Sequence, residues 1–130
     1  LGGVHDLDTD VLKLALIKVG AAGTYNATTT NYSDVTGNTD ESVGTNYTAG
    51  GQALDGAVIS LDSGTAIVDF TDEVFGNVTV SSIGCIIYNS TQSNAAVAVI
   101  DFGGTVSATA GDLTIEFPAA AAATAVIRIA

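Results

Sequence analysis

The sequence predicts an all-β chain that folds as a single domain, either an antiparallel β-sandwich or a jelly-roll-like barrel, with one long irregular loop. Two observations predict this. The 130 residues are rich in Thr, Ser, Gly, Ala and Val, with one Pro and no Trp or Met, and stretches of strand-forming composition recur between short runs of turn residues. A chain of this length forms one core and is short for two, so residues 1–130 are assigned to one domain.

The first predicted strand covers residues 12–19. Its leucines at positions Leu12, Leu14 and Leu16 fall on one face by period-two alternation, and its two lysines interrupt the apolar pattern, which indicates a half-buried strand. A helix is the alternative for this segment, because Leu and Ala favour helices.

The apolar pattern stops over residues 24–51, which are rich in Thr, Asn, Ser and Gly. We expect a long irregular loop with one short helical turn near residues 33–35. Loops of this length usually carry function or an interaction. Its three tyrosines are candidate partner-binding residues, because amphipathic aromatic side chains anchor interfaces; the alternative is that each attaches the loop to its own sheet. These residues are Tyr25, Tyr32 and Tyr47.

Regular strands are predicted after Gly51. They cover residues 57–61, 65–70, 78–80, 83–89, 95–102, 113–117 and 124–129. Turns are predicted at 62–64, 75–77, 90–94, 103–104 and 111–112, of which the first and third have the composition of hairpin connections. Pro118 ends a strand, and the alanines at 119–123 form a connection. The predicted core consists of Leu14, Leu16, Ile59, Ile67, Ile86, Val99, Ile100, Ile115, Phe117 and Ile127.

The charge balance limits the classes of partner. The formal net charge is −11, with only three Lys and Arg residues, so the chain lacks the basic cluster that contacts phosphates or anionic lipids. We expect no nucleic-acid partner and no membrane partner. No apolar run reaches the roughly 18 residues of a transmembrane helix.

Residue types that carry catalysis or bind metals are scarce. The one cysteine, Cys85, lies among isoleucines and is predicted to be a small buried core residue. The one histidine, His5, lies near the chain end, where ordered catalytic geometry is uncommon. The run DLDTD at 6–10 lacks the Gly and Glu of a calcium-binding loop, so we interpret its carboxylates as caps of the first strand. We predict no catalytic residues, no metal and no cofactor, and do not expect an enzyme.

Two other acidic positions have structural interpretations. Asp72 and Glu73 are adjacent, so on a strand they point to opposite faces and do not share acid–base chemistry. Asp101 precedes two glycines and is predicted to stabilise a turn through its side chain.

Five asparagines begin an Asn-x-Ser/Thr triplet, the acceptor motif for glycosylation. A secreted glycosylated β-domain is therefore an alternative class, although the cysteine framework of many small secreted domains is missing. The acceptor positions are Asn26, Asn31, Asn46, Asn77 and Asn89.

An ordered series of segments carries a more specific signal. In chain order these are DLDTD at 6–10 with LKLAL at 12–16, NYSDV at 31–35, GTNYTAGGQAL at 44–54, GCIIYN at 84–89, VAVIDFGG at 97–104 and GDLTIEFP at 111–118. Together they resemble a widespread family of small structural proteins of tailed bacteriophages, over nearly the whole chain.

The resemblance implies a non-enzymatic component of the virion. The implied role is a decoration or cement protein that binds and stabilises the head shell, with a neck or tail component as the alternative. The implied partners are the major capsid protein, sister subunits in a homo-oligomer such as a trimer, or both. The resemblance implies no catalytic residues.

Overall fold

Two antiparallel β-sheets pack face to face in the computed structural model. The structure describes residues 5–118, 121, 123, 124 and 127–129, and for residues 127–129 it describes the backbone alone. The prediction of an all-β sandwich-like domain is confirmed. The four-stranded sheet has the order β2-β1-β5-β6 and the three-stranded sheet has the order β3-β4-β7. The elements are β1 (Leu12–Ile17), α1 (Ser33–Gly37), β2 (Gln52–Ala53), β3 (Val58–Asp62), β4 (Thr65–Asp69), β5 (Glu73–Asn89), β6 (Ala95–Ile115) and β7 (Ile127–Ile129).

Strand β1 is buried on both faces. Leu14 and Leu16 point toward the three-stranded sheet and share a hydrophobic cluster with Val68. Ala15 and Ile17, on the opposite face, belong to a second cluster. The strand interpretation of this segment is confirmed over Leu12–Ile17 and the helical alternative is wrong. Every residue of the strand except Lys13 is buried, so the strand is more deeply buried than predicted.

The two long strands β5 and β6 correct three predicted turns. The glycine-rich sequences at 75–77, 103–104 and 111–112 lie inside these strands. They coincide with irregularities in the β5–β6 register or lie close to them, and Asn77 and Gly103 have φ values of 50° and 75°. Such residues act here as bulges, which bend the paired strands β5 and β6 but do not reverse the direction of the chain.

Both predicted hairpins are present. Ser63 and Gly64 connect β3 to β4 with φ values of 51° and 82°. Two successive positive φ values are the property of a type I′ turn, whose twist matches that of the flanking strands. The connection after Asn89 joins β5 to β6.

The predicted core is correct in the sheet interiors and wrong at one edge. Ile59 is 55% exposed, because β3 pairs only with β4 among the described strands and lies at the edge of its sheet. Three predicted core residues are half-buried rather than buried: Val99, Ile100 and Phe117. The buried ones are Leu14, Leu16, Ile67, Ile86 and Ile115. The side chain of Ile127, and most of the connection at 119–123, lie outside the described residues.

Replacement of Ile86 by Ala should lower the free energy of unfolding by about 2–5 kcal/mol, because its fully buried side chain leaves a cavity. Urea unfolding of the dilute protein measures this. The matched control is Ile59→Ala, which removes the same atoms from an exposed position and should change stability by less than about 0.5 kcal/mol. Equal losses at both positions would contradict the assignment of Ile86 to the core.

Candidate partner-binding surface

Residues 24–51 form a layer on the four-stranded sheet: Tyr25, Tyr32 and Val35 pack on its second face, and Tyr47 packs on the leucine face. The predicted helical turn is present as α1, and Val35 within it is fully buried. Val35 packs in one cluster with Ala15, Ile17 and Ile86 of the sheet. The loop is therefore part of the hydrophobic core, although its composition is polar.

Glu41 holds the second half of this layer together, and Tyr47 joins it to the sheet. Its Oε1 accepts hydrogen bonds from the Tyr47 hydroxyl at 2.9 Å and from the Gly50 backbone N–H at 2.6 Å. Its Oε2 accepts a hydrogen bond from the Tyr32 hydroxyl. The Tyr47 oxygen in turn accepts a hydrogen bond from the Leu16 N–H of β1 at 2.9 Å. One carboxylate thus connects two tyrosines and two backbone segments.

Tyr32 and Tyr47 act as proton donors in this network. Burial raises the pKa of both phenols, and the neighbouring Glu41 carboxylate raises both further. Both hydroxyls therefore stay protonated at neutral pH. The ring of Tyr32 also stacks on Tyr88, with centroids 4.3 Å apart and ring planes 7° from parallel. Tyr88 closes the cluster by donating its hydroxyl to the Gly50 carbonyl at 2.7 Å.

Asp40 organises the first half of the layer. Its carboxylate accepts hydrogen bonds from the backbone N–H groups of Ala22 at 3.0 Å and Gly23 at 2.8 Å, and from the Tyr25 hydroxyl at 2.6 Å. The Lys18 ammonium lies 3.3 Å from the same carboxylate. Burial alone would raise the pKa of Asp40, but these donors outweigh it and hold the pKa well below its usual range.

The structure places all three candidate tyrosines against their own domain. Tyr25 binds Asp40, whereas Tyr32 and Tyr47 bind Glu41, and these hydrogen bonds lie within the loop. Tyr32 and Tyr47 also contact the sheet, through a ring of β5 and a backbone N–H of β1, as the alternative expects, and the ring of Tyr25 packs against the second cluster. All three rings are half-buried, so a contact with a partner through their outer parts stays a prediction.

The N-terminal turn binds the β5–β6 hairpin. The Asn89 amide donates to Asp10 Oδ2 at 2.6 Å and lies 3.1 Å from His5 Nδ1. Asp6 accepts from the backbone of Asp8 at 3.1 Å and closes the turn on itself. These side chains are used in local structure, and the described part of the chain holds no cluster of His, Cys, Asp and Glu suited to a metal ion.

The other positions of interest are structural. Cys85 is fully buried as predicted, and burial raises the pKa of its thiol to about 12. Asp101 Oδ1 accepts the Gly103 N–H at 2.8 Å, so the predicted side-chain contact is present, but it stabilises a bend within β6 and not a turn between strands. Asp72 is exposed and Glu73 is buried, and burial raises the pKa of the Glu73 carboxyl.

Three of the five glycosylation acceptors have their amide nitrogen engaged. Asn89 is fully buried, so its Nδ2 is inaccessible to a glycan in the folded chain. The Nδ2 atoms of Asn31 and Asn46 donate to the carbonyls of Ser93 at 2.9 Å and Asn77 at 2.8 Å. These contacts disfavour the glycosylated alternative, because the glycan would be attached through Nδ2.

Sequence patterns did not indicate which strands lie at sheet edges, of which β3 and β6 are the longer ones in the described part of the chain. Among the described strands, β3 pairs only with β4 and β6 pairs only with β5. On β3, Val58 is 58% exposed and Leu61 is 74% exposed. Along β6, every residue from Ala95 to Ile100 is half-buried. Residues 56–61 and 95–100 contain no charged side chain. The sequence shows this lack of charge, but a lack of charge does not by itself indicate that a strand lies at an edge.

Comparison with known proteins gives no match: no family model, no curated protein and no solved structure is found to be similar to this chain. Within the described residues, none of the helices has the length and hydrophobicity to span a membrane.

Replacement of Tyr47 by Phe should lower the free energy of unfolding by about 1–3 kcal/mol, because the Leu16 N–H and the Glu41 carboxylate each lose a partner away from bulk water. Chemical denaturation of the isolated chain measures the effect. Val43→Ala, at a 91% exposed position of the same segment, is the control and should be nearly neutral. A neutral Tyr47→Phe would show that the hydroxyl does not hold the loop.

Asp40 should make the domain less stable in acid. Because its folded-state pKa is lowered, its contribution is complete above the unfolded-state pKa of about 4 and is lost as the pH falls below that value. Asp40→Asn should therefore reduce stability at pH 7 and flatten the decline toward pH 3, in unfolding curves recorded across this range. Asp8→Asn removes an equal charge from an exposed turn and is the control. An unchanged slope for Asp40→Asn would contradict the assignment.

Proposed function

We propose that this protein is a non-enzymatic structural subunit of a bacteriophage particle and that it decorates the head. The observation that carries the proposal is the ordered series of segments that resembles small structural proteins of tailed phages. These segments are distributed from residue 6 to residue 118, so the resemblance concerns a whole domain.

The fold supports treating those segments as one unit. The segments at 12–16, 44–54, 84–89 and 97–104 contribute to the four adjacent strands of the larger sheet. The segment at 31–35 belongs to the layer that packs on this sheet, where Val35 is buried. Segments that are dispersed in the sequence therefore meet in a single framework.

The surface chemistry fits binding by shape and backbone pairing. A chain of net charge −11 with three cations has little capacity to bind an acidic partner through charge. Unpaired strand edges instead offer rows of N–H and C=O groups that can pair with another strand. Weak contacts of this kind become effective when many copies bind one symmetric shell. The partners under this proposal are the major capsid protein and sister subunits.

Particles with and without the protein test the function. We expect deletion or removal to give heads that lose their DNA at lower temperature or after milder osmotic shock, and quantitative gels to show hundreds of copies per particle. Re-addition of the purified protein should restore resistance and is the control for indirect effects of deletion. About a dozen copies or fewer would move the protein to the neck or tail. Absence from purified particles would refute the proposal.

A further inference from the structure

Among the described strands β2, β3, β6 and β7 lie at sheet edges, and the two longer ones, β3 and β6, have complementary properties. Strand β3 presents apolar side chains on both of its faces, since alternation places Ile59 and Leu61 on one face and Val58 on the other. These side chains are 55%, 74% and 58% exposed. Within the described strands nothing covers them, and no Lys or Pro protects the edge in the way that many monomeric proteins do.

The edge of β6 is flanked by concave surfaces. The loop shields only its start, where Thr30 accepts the Ala96 N–H at 2.9 Å. Beyond that point a groove of about 360 Å³ separates residues 26–29 from residues 96–99. A second groove of about 230 Å³ borders Val99 and Ile100, and a third of about 420 Å³ lies beside Ile100 and Phe102. A strand added at residues 97–101 would therefore find space for its side chains.

We propose that β3 of one copy adds to the edge of β6, at residues 97–101, in a second copy of this chain. The exposed apolar side chains of β3 would enter the grooves beside β6, and the unpaired N–H and C=O groups of the two edges would bond to each other. Each of these two edges has no neighbouring strand on its outer side among the described strands. This inference concerns the chain alone and does not depend on the proposed place in a virion.

Charge fixes the orientation. Residues 57–61 and 97–100 carry no charge, but Asp62 follows the first stretch and Asp101 follows the second. Antiparallel pairing places Val58 opposite Asp101 and keeps the two carboxylates at opposite ends of the pair, on the order of 14 Å apart. Parallel pairing would place them side by side, where like charges destabilise a sheet. The antiparallel register sets Ser60 opposite Val99.

The contact is heterologous, because it joins two different surfaces. Each copy offers one β3 edge and one β6 edge, so pairing continues from copy to copy until a ring closes. Since every copy carries a net charge of −11, repulsion opposes this association. Added salt should therefore strengthen it, whereas a contact with a basic partner would weaken.

Sedimentation of the purified chain over a range of concentrations and salt tests the association. We expect oligomers that are favoured by salt, and a loss of affinity of about tenfold or more in Ile59→Lys, because pairing would bury an unpartnered charge. The matched control is Val43→Lys at a 91% exposed position away from both edges. Both variants reduce the negative charge, so repulsion alone predicts tighter association in each. A monomer at every concentration, or equal weakening in both variants, would overturn the proposal.

Disulfide trapping identifies the edges that meet. Ser60→Cys and Val99→Cys chains are mixed under oxidising conditions, and Cβ atoms of directly opposite residues lie about 4.5–5.5 Å apart, close enough for a disulfide with small adjustments. The native thiol does not interfere, because Cys85 is fully buried. We expect the mixed disulfide, and none between Val43→Cys and Val99→Cys. Predominant Ser60→Cys or Val99→Cys homodimers would show symmetric pairing and overturn the β3–β6 contact.

Discussion

The burial of β1 on both faces is the constraint on which the rest of the fold depends. A strand with Leu14 and Leu16 on one face and Ala15 and Ile17 on the other needs a covering layer on each side. The three-stranded sheet covers the leucine face. No third sheet exists among the described residues, so the segment at 24–51 covers the opposite face with Val35 as its central apolar contact. A polar, irregular segment is thereby required to be ordered.

Ordering that segment requires acceptors for its backbone and hydroxyl donors, and two successive carboxylates supply them. Asp40 receives the donors that precede α1, and Glu41 receives donors from Tyr32 and from the residues that lead into β2. Because buried carboxylates are costly unless hydrogen-bonded, the tyrosines and the backbone stabilise the acids as much as the acids stabilise the loop. The loop and these two side chains form one cooperative unit, in which removal of one partner leaves another unsatisfied.

The sequence was informative where local pattern decides structure. Strand alternation placed Leu14 and Leu16 in the core, and turn chemistry placed the hairpin at Ser63 and Gly64. Inference from the sequence failed where pairing between distant residues decides the structure. Gly103 and its neighbour have the composition of a turn, yet they bend a strand that is already paired on one side. Alternation also does not reveal which strand lies at an edge, so Ile59 was wrongly assigned to the core. The hydrogen bonds around Asp40 and Glu41 join residues that are distant in the sequence. The Tyr47 hydroxyl, for example, bonds to the Leu16 N–H, 31 residues away. No spacing pattern in the sequence indicates such contacts.

Some hydrogen-bonding groups of this domain are used within the domain and others are available to a partner, and this difference determines how the domain can bind. The polar atoms of Tyr25, Tyr32 and Tyr47 are committed to their own domain, so these residues can offer a partner only the outer parts of their rings. Among the described strands, backbone groups without a neighbouring strand lie along the edges of β3 and β6, besides the short edge strands β2 and β7. Backbone pairing needs no charged side chain in the paired stretches and is therefore available to an acidic chain that has few cations. It also leaves the loop network intact on binding, so association does not require the loop to be loosened. The edges, rather than the aromatic loop, are thus where binding energy is available without loss of stability.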